Sequence, residues 1–153
     1  AHLTKTANLA ADFASQLGID YPKIGIAGLN PHAGEQGLIG TEEEQIIMPA
    51  IKHLQANSTN AQFVGPIPAD SMFYKAYKQD LDIIVALYHD QGLAPLKMIA
   101  FDQAVNISLG LPFIRTSPDH GTAFDIAFQN KANPASFINA CNLAKTLCHK
   151  KNI

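Results

Sequence analysis

Apolar side chains recur at helical spacing between residues 4 and 17, where Leu9, Ala10, Phe13, Ala14 and Leu17 share one face. This predicts a helix, and Gly18 supplies its stop. The period then changes. Lys23 to Leu29 predicts a strand, followed by a glycine-rich loop, Asn30-Pro31-His32-Ala33-Gly34-Glu35-Gln36-Gly37. Thr41 and Glu44 fit a capping box for a helix reaching about Gln55, and Pro49 offers a point for a new segment. Ala61 to Val64 predicts a short edge strand. Pro66 and Pro68 then exclude regular ladder pairing over residues 65–70. Ser71 to Lys78 predicts a short helix. The run Asp82-Ile83-Ile84-Val85-Ala86-Leu87, rich in β-branched residues, predicts the central buried strand, reaching Tyr88.

Beyond it, Val105–Leu109 and Pro112–Thr116 predict a hairpin-like pair around Gly110-Leu111. Thr122 to Phe128 predicts a short helix. Asn133-Pro134 opens the last helix, whose Ala135, Phe137, Ile138, Cys141, Leu143, Ala144 and Leu147 predict a broad apolar face. Strands alternating with helices imply a layered α/β sheet. No linker interrupts the pattern, so a single domain, or one domain and a fragment, is expected.

Composition narrows the function classes. The chain has 153 residues, 47% hydrophobic and 16% charged, with a net charge of −2. That is ordinary globular composition with no electrostatic footprint for nucleic acid. No apolar run approaches the ~20 residues that span a bilayer as a helix, and no signal peptide or repeat is visible. Cys141 and Cys148 lie seven apart in the last helix, on one face, and read as buried thiols of a reducing compartment, with a disulfide as the alternative. Ala1-His2-Leu3-Thr4 lacks an initiator Met, which implies a processed protein or a fragment without its amino-terminal part.

Two histidines carry the sharpest chemistry. His32 and His89 each follow a predicted strand, each beside a carboxylate, Glu35 or Asp90. Ligands of open α/β sheets bind at the carboxyl ends of strands. Neutral imidazole with carboxylate or water suits Zn, Mn or Fe-type ions. Two ligands are few, since catalytic zinc keeps three from protein. Asp70 is a candidate third ligand or supporting group, and a ligand from another chain or a missing segment stays open. The alternative is two loop histidines with satisfied hydrogen bonds. Lys97, Asn106 and Arg115 form a second group beside apolar strand-like stretches. They suit an anionic substrate, arginine through its planar fork and lysine as a point charge, or else they are solvated surface groups. His120-Gly121-Thr122-Ala123-Phe124-Asp125 offers close backbone approach and a helix amino terminus, though it also reads as a simple cap. Neither it nor Gly25-Ile26-Ala27-Gly28 is a dinucleotide fingerprint. His2, His53 and His149 sit in helical surface contexts.

Five blocks in one order carry a resemblance. They are Gly28-Leu29-Asn30-Pro31-His32-Ala33-Gly34-Glu35, Gly65-Pro66-Ile67-Pro68-Ala69-Asp70, Tyr88-His89-Asp90-Gln91-Gly92, Val105 through Ser117, and Asp119-His120-Gly121-Thr122-Ala123. Together they resemble the carboxyl-terminal half of the 4-hydroxythreonine-4-phosphate dehydrogenase family, NAD-dependent enzymes of pyridoxal phosphate (vitamin B6) biosynthesis. The resemblance implies a layered α/β/α fold of the isocitrate and isopropylmalate dehydrogenase type. It implies a cytoplasmic homodimer with its active site between subunits, using NAD or NADP and a divalent metal (Zn, Mg, Co or Mn). Of three family histidines on the metal, two match His32 and His89, and the third precedes residue 1. Lys97, Asn106 and Arg115 match substrate-contacting positions. Asp70 matches an acidic residue near the metal, and Asp70 and Lys97 are the implied catalytic pair. His120, Gly121, Thr122, Ala123 and Asp125 match the cofactor loop. Two departures stand out. Ala104 replaces a common glycine, and Phe128-Gln129-Asn130 replaces an expected Gly-Lys-Gly.

The implied reaction oxidises 4-phosphooxy-L-threonine to 2-amino-3-oxo-4-phosphooxybutanoate, which decarboxylates to 3-amino-2-oxopropyl phosphate. Two other readings compete: a paralogue acting on threonate or erythronate 4-phosphate, and a non-catalytic fragment. On its own, the chain is expected to be inactive.

Overall fold

The computed structural model describes residues 1–150. The chain divides into two compact units, Ala1–Pro95 and Leu96–Ile153. No composition shift marks the boundary. It falls within a helix at Pro95, a residue that cannot donate an intrahelical hydrogen bond.

The first unit is built on a three-stranded parallel sheet. Helix α1 (His2–Leu17) ends at Gly18, which takes the left-handed conformation with φ 96°, as the pattern predicts. Strand β1 (Lys23–Ala27) follows. After a long loop, a π-helical turn (Glu43–Ile47) runs into α2 (Met48–Asn57), with Pro49 in its first turn. Then come β2 (Gln62–Ile67), α3 (Ala69–Tyr77) and β3 (Ile83–Val85). The strand order is β2-β1-β3, with both pairings parallel.

Parallel sheets need cover on both faces, and the core shows it. Ile24 and Ile26 of β1 point to one face, where they pack with Ala7, Ala10 and Ala11 of α1, Ile51 and Leu54 of α2, Phe63 and Val85. Ala27 and Ile67 point to the other, against Met72 and Phe73 of α3 and Leu81. The expected layered α/β/α arrangement is therefore present in this unit.

Several local expectations are corrected. Asp82–Tyr88 is not the central strand. β1 takes that place, buried along nearly its whole length, and β3 covers only Ile83–Val85 beside it. Strand β2 continues through Pro66, because the register slips between Gly25 and Ala27 and frees that position from the ladder. The Thr41–Glu44 capping box does not form. The helical segment opens at Glu42 without a side-chain cap.

The second unit contains the end of α4 (His89–Ala100), a two-stranded antiparallel ribbon of β4 (Val105–Ile107) and β5 (Thr116–Pro118), and α5 (Ala135–Lys150). The ribbon pairs as a hairpin, but its second strand starts later than predicted. Pro112 lacks a donor for the ladder, and the chain closes instead where the Ser108 N–H donates to the Arg115 carbonyl at 3.0 Å. Helix α5 buries only a narrow stripe, Ser136, Ala140 and Leu147. Phe137 and Ile138 are exposed. So is Cys141, while Cys148 is half-buried and both thiols are free, which corrects the expectation of buried cysteines.

Candidate functional site

Three connections leave the carboxyl ends of the three parallel strands, and each leads to one predicted residue. His32 follows β1, Asp70 lies in the first turn of α3 after β2, and His89 opens α4 after β3. Because these strands are neighbours, sheet topology puts the three residues at one edge. All three are exposed. His89 Nδ1 lies 2.7 Å from Asp90 Oδ1, and His32 Nδ1 lies 3.5 Å from Glu35 Oε2.

The His32 loop has an unusual backbone. Residues 32 to 37 all have positive φ, including the non-glycines His32, Ala33, Glu35 and Gln36. Each such non-glycine residue costs about 1–2 kcal/mol, so the loop persists only if its surroundings hold it. Gly34 makes the closest approach: a Cβ there would lie 2.7 Å from Glu43 Oε2 and 2.8 Å from the Gly40 carbonyl.

Glu43 is the holding group. Its side chain is 3% exposed. Oε1 accepts from the Leu29 and Asn30 N–H groups at 2.7 and 2.8 Å, and Oε2 accepts from Asn30 Nδ2 at 2.9 Å. The same Asn30 amide donates to Glu42 Oε2 at 2.7 Å. Burial pushes the Glu43 pKa up, but the hydrogen bonds from the Asn30 side chain and from backbone N–H groups outweigh it. Its carboxyl therefore titrates below the usual glutamate range. The Asn30 amide lowers Glu42 as well. Glu43 went unpredicted, although a signal exists. Glu43, Ile47 and Ile51 are spaced by four and all buried, so a carboxylate sits on the apolar stripe.

Gln91, 6% exposed, was also missed. Its Oε1 accepts from the Leu87 N–H at 2.7 Å, and its Nε2 donates to the Gly28 carbonyl at 2.8 Å. In sequence it lies within the Tyr88–Gly92 motif block, but nothing there points to its distant backbone partner.

The donor chemistry at this edge fits a divalent ion. His89 Nδ1 is within hydrogen-bonding distance of Asp90, the arrangement that fixes a tautomer and leaves Nε2 for ligation, and His32 Nδ1 faces Glu35 at the longer 3.5 Å. The set is incomplete, however. Among the described residues no three His, Cys, Asp or Glu side chains come together as a metal-binding group.

In the second unit, Asn106 pairs in register with Ser117. Arg115 Nη1 donates to Ser108 Oγ at 3.0 Å. Since side chains alternate along strands, Asn106, Ser108, Arg115 and Ser117 share one face. The opposite face lies against α5, where Thr116 Oγ1 donates to the Ala140 carbonyl at 2.9 Å. The ribbon thus offers a polar face with one cation. Lys97 stands near Asp119, Nζ to Oδ2 at 3.7 Å, and 5.7 Å from the Phe101 ring centre. Asp119 Oδ2 is buried without a hydrogen bond, so Lys97 is its charge partner.

The predicted helix Thr122–Phe128 is corrected to a single 3-10 turn, Phe124–Ile126. Left-handed Ala123 and Phe128 bracket it and prevent extension. Its helix amino terminus is therefore lost as a phosphate site. His120, Gly121, Thr122, Ala123 and Asp125 are all exposed. His120 and Ala123 line a cleft of about 210 Å³ with Phe101, Ile126 and Ser136, below the ~300–1,000 Å³ of ordinary ligand pockets. Phe128 and Asn130 keep positive φ at positions where glycine was expected.

Comparison with known proteins settles the family. The family described as pyridoxal phosphate biosynthetic protein PdxA matches residues 1–144. The chain belongs to this family. It is 54% identical over 143 residues to 4-hydroxythreonine-4-phosphate dehydrogenase of Bradyrhizobium diazoefficiens, covering 94% of this chain and 41% of that protein. The crystal structure of 4-hydroxythreonine-4-phosphate dehydrogenase from Klebsiella pneumoniae superposes with a TM-score of 0.83 at 44% identity, over 95% of this chain and 43% of that one. A terephthalate 1,2-cis-dihydrodiol dehydrogenase from Burkholderia xenovorans gives 0.74 at 35% identity, over 95% and 45%. The chain spans about two fifths of the length of the curated relatives it matches, 41% for the Bradyrhizobium protein. The resemblance read from the five motif blocks is borne out.

Proposed function

We propose that the full-length protein oxidises 4-phosphooxy-L-threonine in pyridoxal phosphate biosynthesis, as a cytoplasmic homodimer. The secondary alcohol loses a hydride from carbon and a proton from oxygen, giving 2-amino-3-oxo-4-phosphooxybutanoate. Loss of CO₂, with a proton taken up on the former α-carbon, then gives 3-amino-2-oxopropyl phosphate. When bound, a divalent ion (Zn, Mg, Co or Mn) acidifies the hydroxyl and polarises the carbonyl, and NAD or NADP accepts the hydride.

This chain's residues take distinct tasks. His32 and His89 hold the ion, oriented by Glu35 and Asp90. Asp70, at the same sheet edge, receives the hydroxyl proton. Arg115 and Asn106, on the polar face of the ribbon, bind the anionic groups of the substrate, and Lys97 adds a point charge. His120, Gly121, Thr122, Ala123 and Asp125 contact the cofactor.

The supporting observation is that His32, Asp70 and His89 leave the carboxyl ends of three adjacent parallel strands in a chain of this family. The test is a substrate panel on the full-length protein with NAD and with NADP, read by reduced-cofactor formation. The expected result is a preference for 4-phosphooxy-L-threonine. A strong preference for threonate or erythronate 4-phosphate, which lack the amino group, overturns the assignment in favour of a paralogue. The terephthalate dihydrodiol dehydrogenase at 35% identity, which is named for another substrate, gives the paralogue reading weight.

A further inference from the structure

We propose that Gln91 and Glu43 are positioning residues which together set the spacing of His32 and His89; this rests on the reading of those histidines as metal ligands. Where a parallel strand ends, its backbone groups lose their ladder partners, and the loop beyond is free to drift. Here three consecutive residues after β1 are each pinned. Gly28 donates through its N–H to the Ile67 carbonyl at 2.8 Å, which ties it to the end of β2. Its own carbonyl accepts from Gln91 at 2.8 Å. Leu29 and Asn30 donate to Glu43.

Gln91 sits two residues after His89, and through Leu87 it also grips the end of β3. Its amide is therefore a strut of fixed length from the His89 helix to the strand that leads into the His32 turn. Glu43 completes the path by holding the last two residues before that turn, and its Oε2 fills the space a Cβ on Gly34 would occupy. Both side chains are buried, and each of their polar atoms has a hydrogen-bond partner. An apolar residue in either place would leave these backbone groups without partners, so the two polar side chains both stabilise the loop and fix its geometry. Ligands held within a few tenths of an ångström by such supports bind metal more tightly than ligands on loose loops.

Asn30 Nδ2 donates to both Glu42 and Glu43, so its orientation is fixed from both sides. Glu43→Gln would set one amide nitrogen against another, disturbing the His32 side at nearly constant volume. Gln91→Met would remove the strut from the His89 side, also at nearly constant volume.

The test is Co²⁺ titration of the full-length protein, read by visible absorption, alongside thermal melting. Gln55→Met is the control. Gln55 makes the same kind of tie, Nε2 to the Phe63 carbonyl at 2.8 Å, from α2 to β2. The expected result is Co²⁺ affinity weakened roughly ten- to a hundredfold in Gln91→Met and in Glu43→Gln, with a changed absorption envelope. Gln55→Met should bind like the unmodified protein whatever its melting shift. If one site variant fails to fold, the other decides alone. Unchanged affinity in a folded Gln91→Met or Glu43→Gln overturns the positioning role and leaves the ligand reading intact. Failure of the unmodified protein to bind Co²⁺ overturns the ligand reading, and the proposal with it.

Discussion

The two units of this chain are held together by different physics. In the first, two apolar clusters sandwich a parallel sheet, with Ile24, Ile26, Ile51, Phe63 and Met72 essentially buried. In the second, the buried apolar side chains among the described residues are Ala104, Ala140 and Leu147. Polar ties take up the load instead. Ser136 Oγ donates to the Ala104 carbonyl at 2.6 Å and accepts from the Asp119 N–H at 3.0 Å. Asn139 donates to the Gln103 carbonyl at 3.0 Å, and Thr116 to Ala140. A packed unit can carry a strained loop, and the first unit carries one. The second presents side chains from a short ribbon and an irregular segment.

The largest expected effect tests the packed side. Phe63→Ala should cost about 3–5 kcal/mol by lost burial and a cavity, measured by chemical denaturation. Phe137→Ala, at an exposed position of α5, should stay within about 0.5 kcal/mol. Equal costs would erase the contrast.

Next comes the polar side. Ser136→Ala orphans the Asp119 N–H and the Ala104 carbonyl together, and should cost roughly 1–3 kcal/mol. This exceeds the expected cost at Phe137, an inversion of the usual ranking of phenylalanine over serine.

The pH response should separate the units as well. Glu43 has a pKa below the ordinary glutamate value of 4.5 in the folded protein. Its contribution to stability is therefore fully present above that value, and it is lost as pH falls through the lower folded pKa. Melting temperature followed downward from pH 5 should fall in the unmodified protein, and less steeply in Glu43→Gln. Parallel curves would remove Glu43 from its clamping role.

The smallest effect is a gain. Phe128 is fully exposed and left-handed, with φ 62°. Phe128→Gly should relieve backbone strain, offset by glycine's greater freedom in the unfolded chain. The net should be a stabilisation of at most about 1 kcal/mol, read as a small rise in melting temperature.

Legibility in the sequence follows the same division. Helix α1 and its Gly18 stop were readable because one amphipathic face packs on one sheet, and period alone reports that. The placement of His32 and His89 just past strand ends was readable because apolar runs followed by turn residues mark where strands stop. Strand order was not. Asp82–Leu87 is as apolar as a central strand, but only tertiary pairing decides that β1 lies between its neighbours. The capping box failed because the helical segment opens at Glu42, one residue past Thr41, with no side-chain cap, and Glu43 went unread because it holds Leu29 and Asn30, partners 14 and 13 residues away, which no local motif encodes. The Thr122–Phe128 helix failed because backbone handedness at Ala123 and Phe128 overrides a helical composition. Gln91 stayed silent because its partner Gly28 lies 63 residues away.

The central claim is that His32 and His89 are metal ligands of a dehydrogenase. The most direct measurement is divalent-metal content together with turnover of 4-phosphooxy-L-threonine, in the full-length protein and in its His89→Ala variant. The account predicts a bound divalent ion and turnover in the first, with both lost in the second while its melting temperature changes little. Unchanged metal content and turnover in His89→Ala would contradict it.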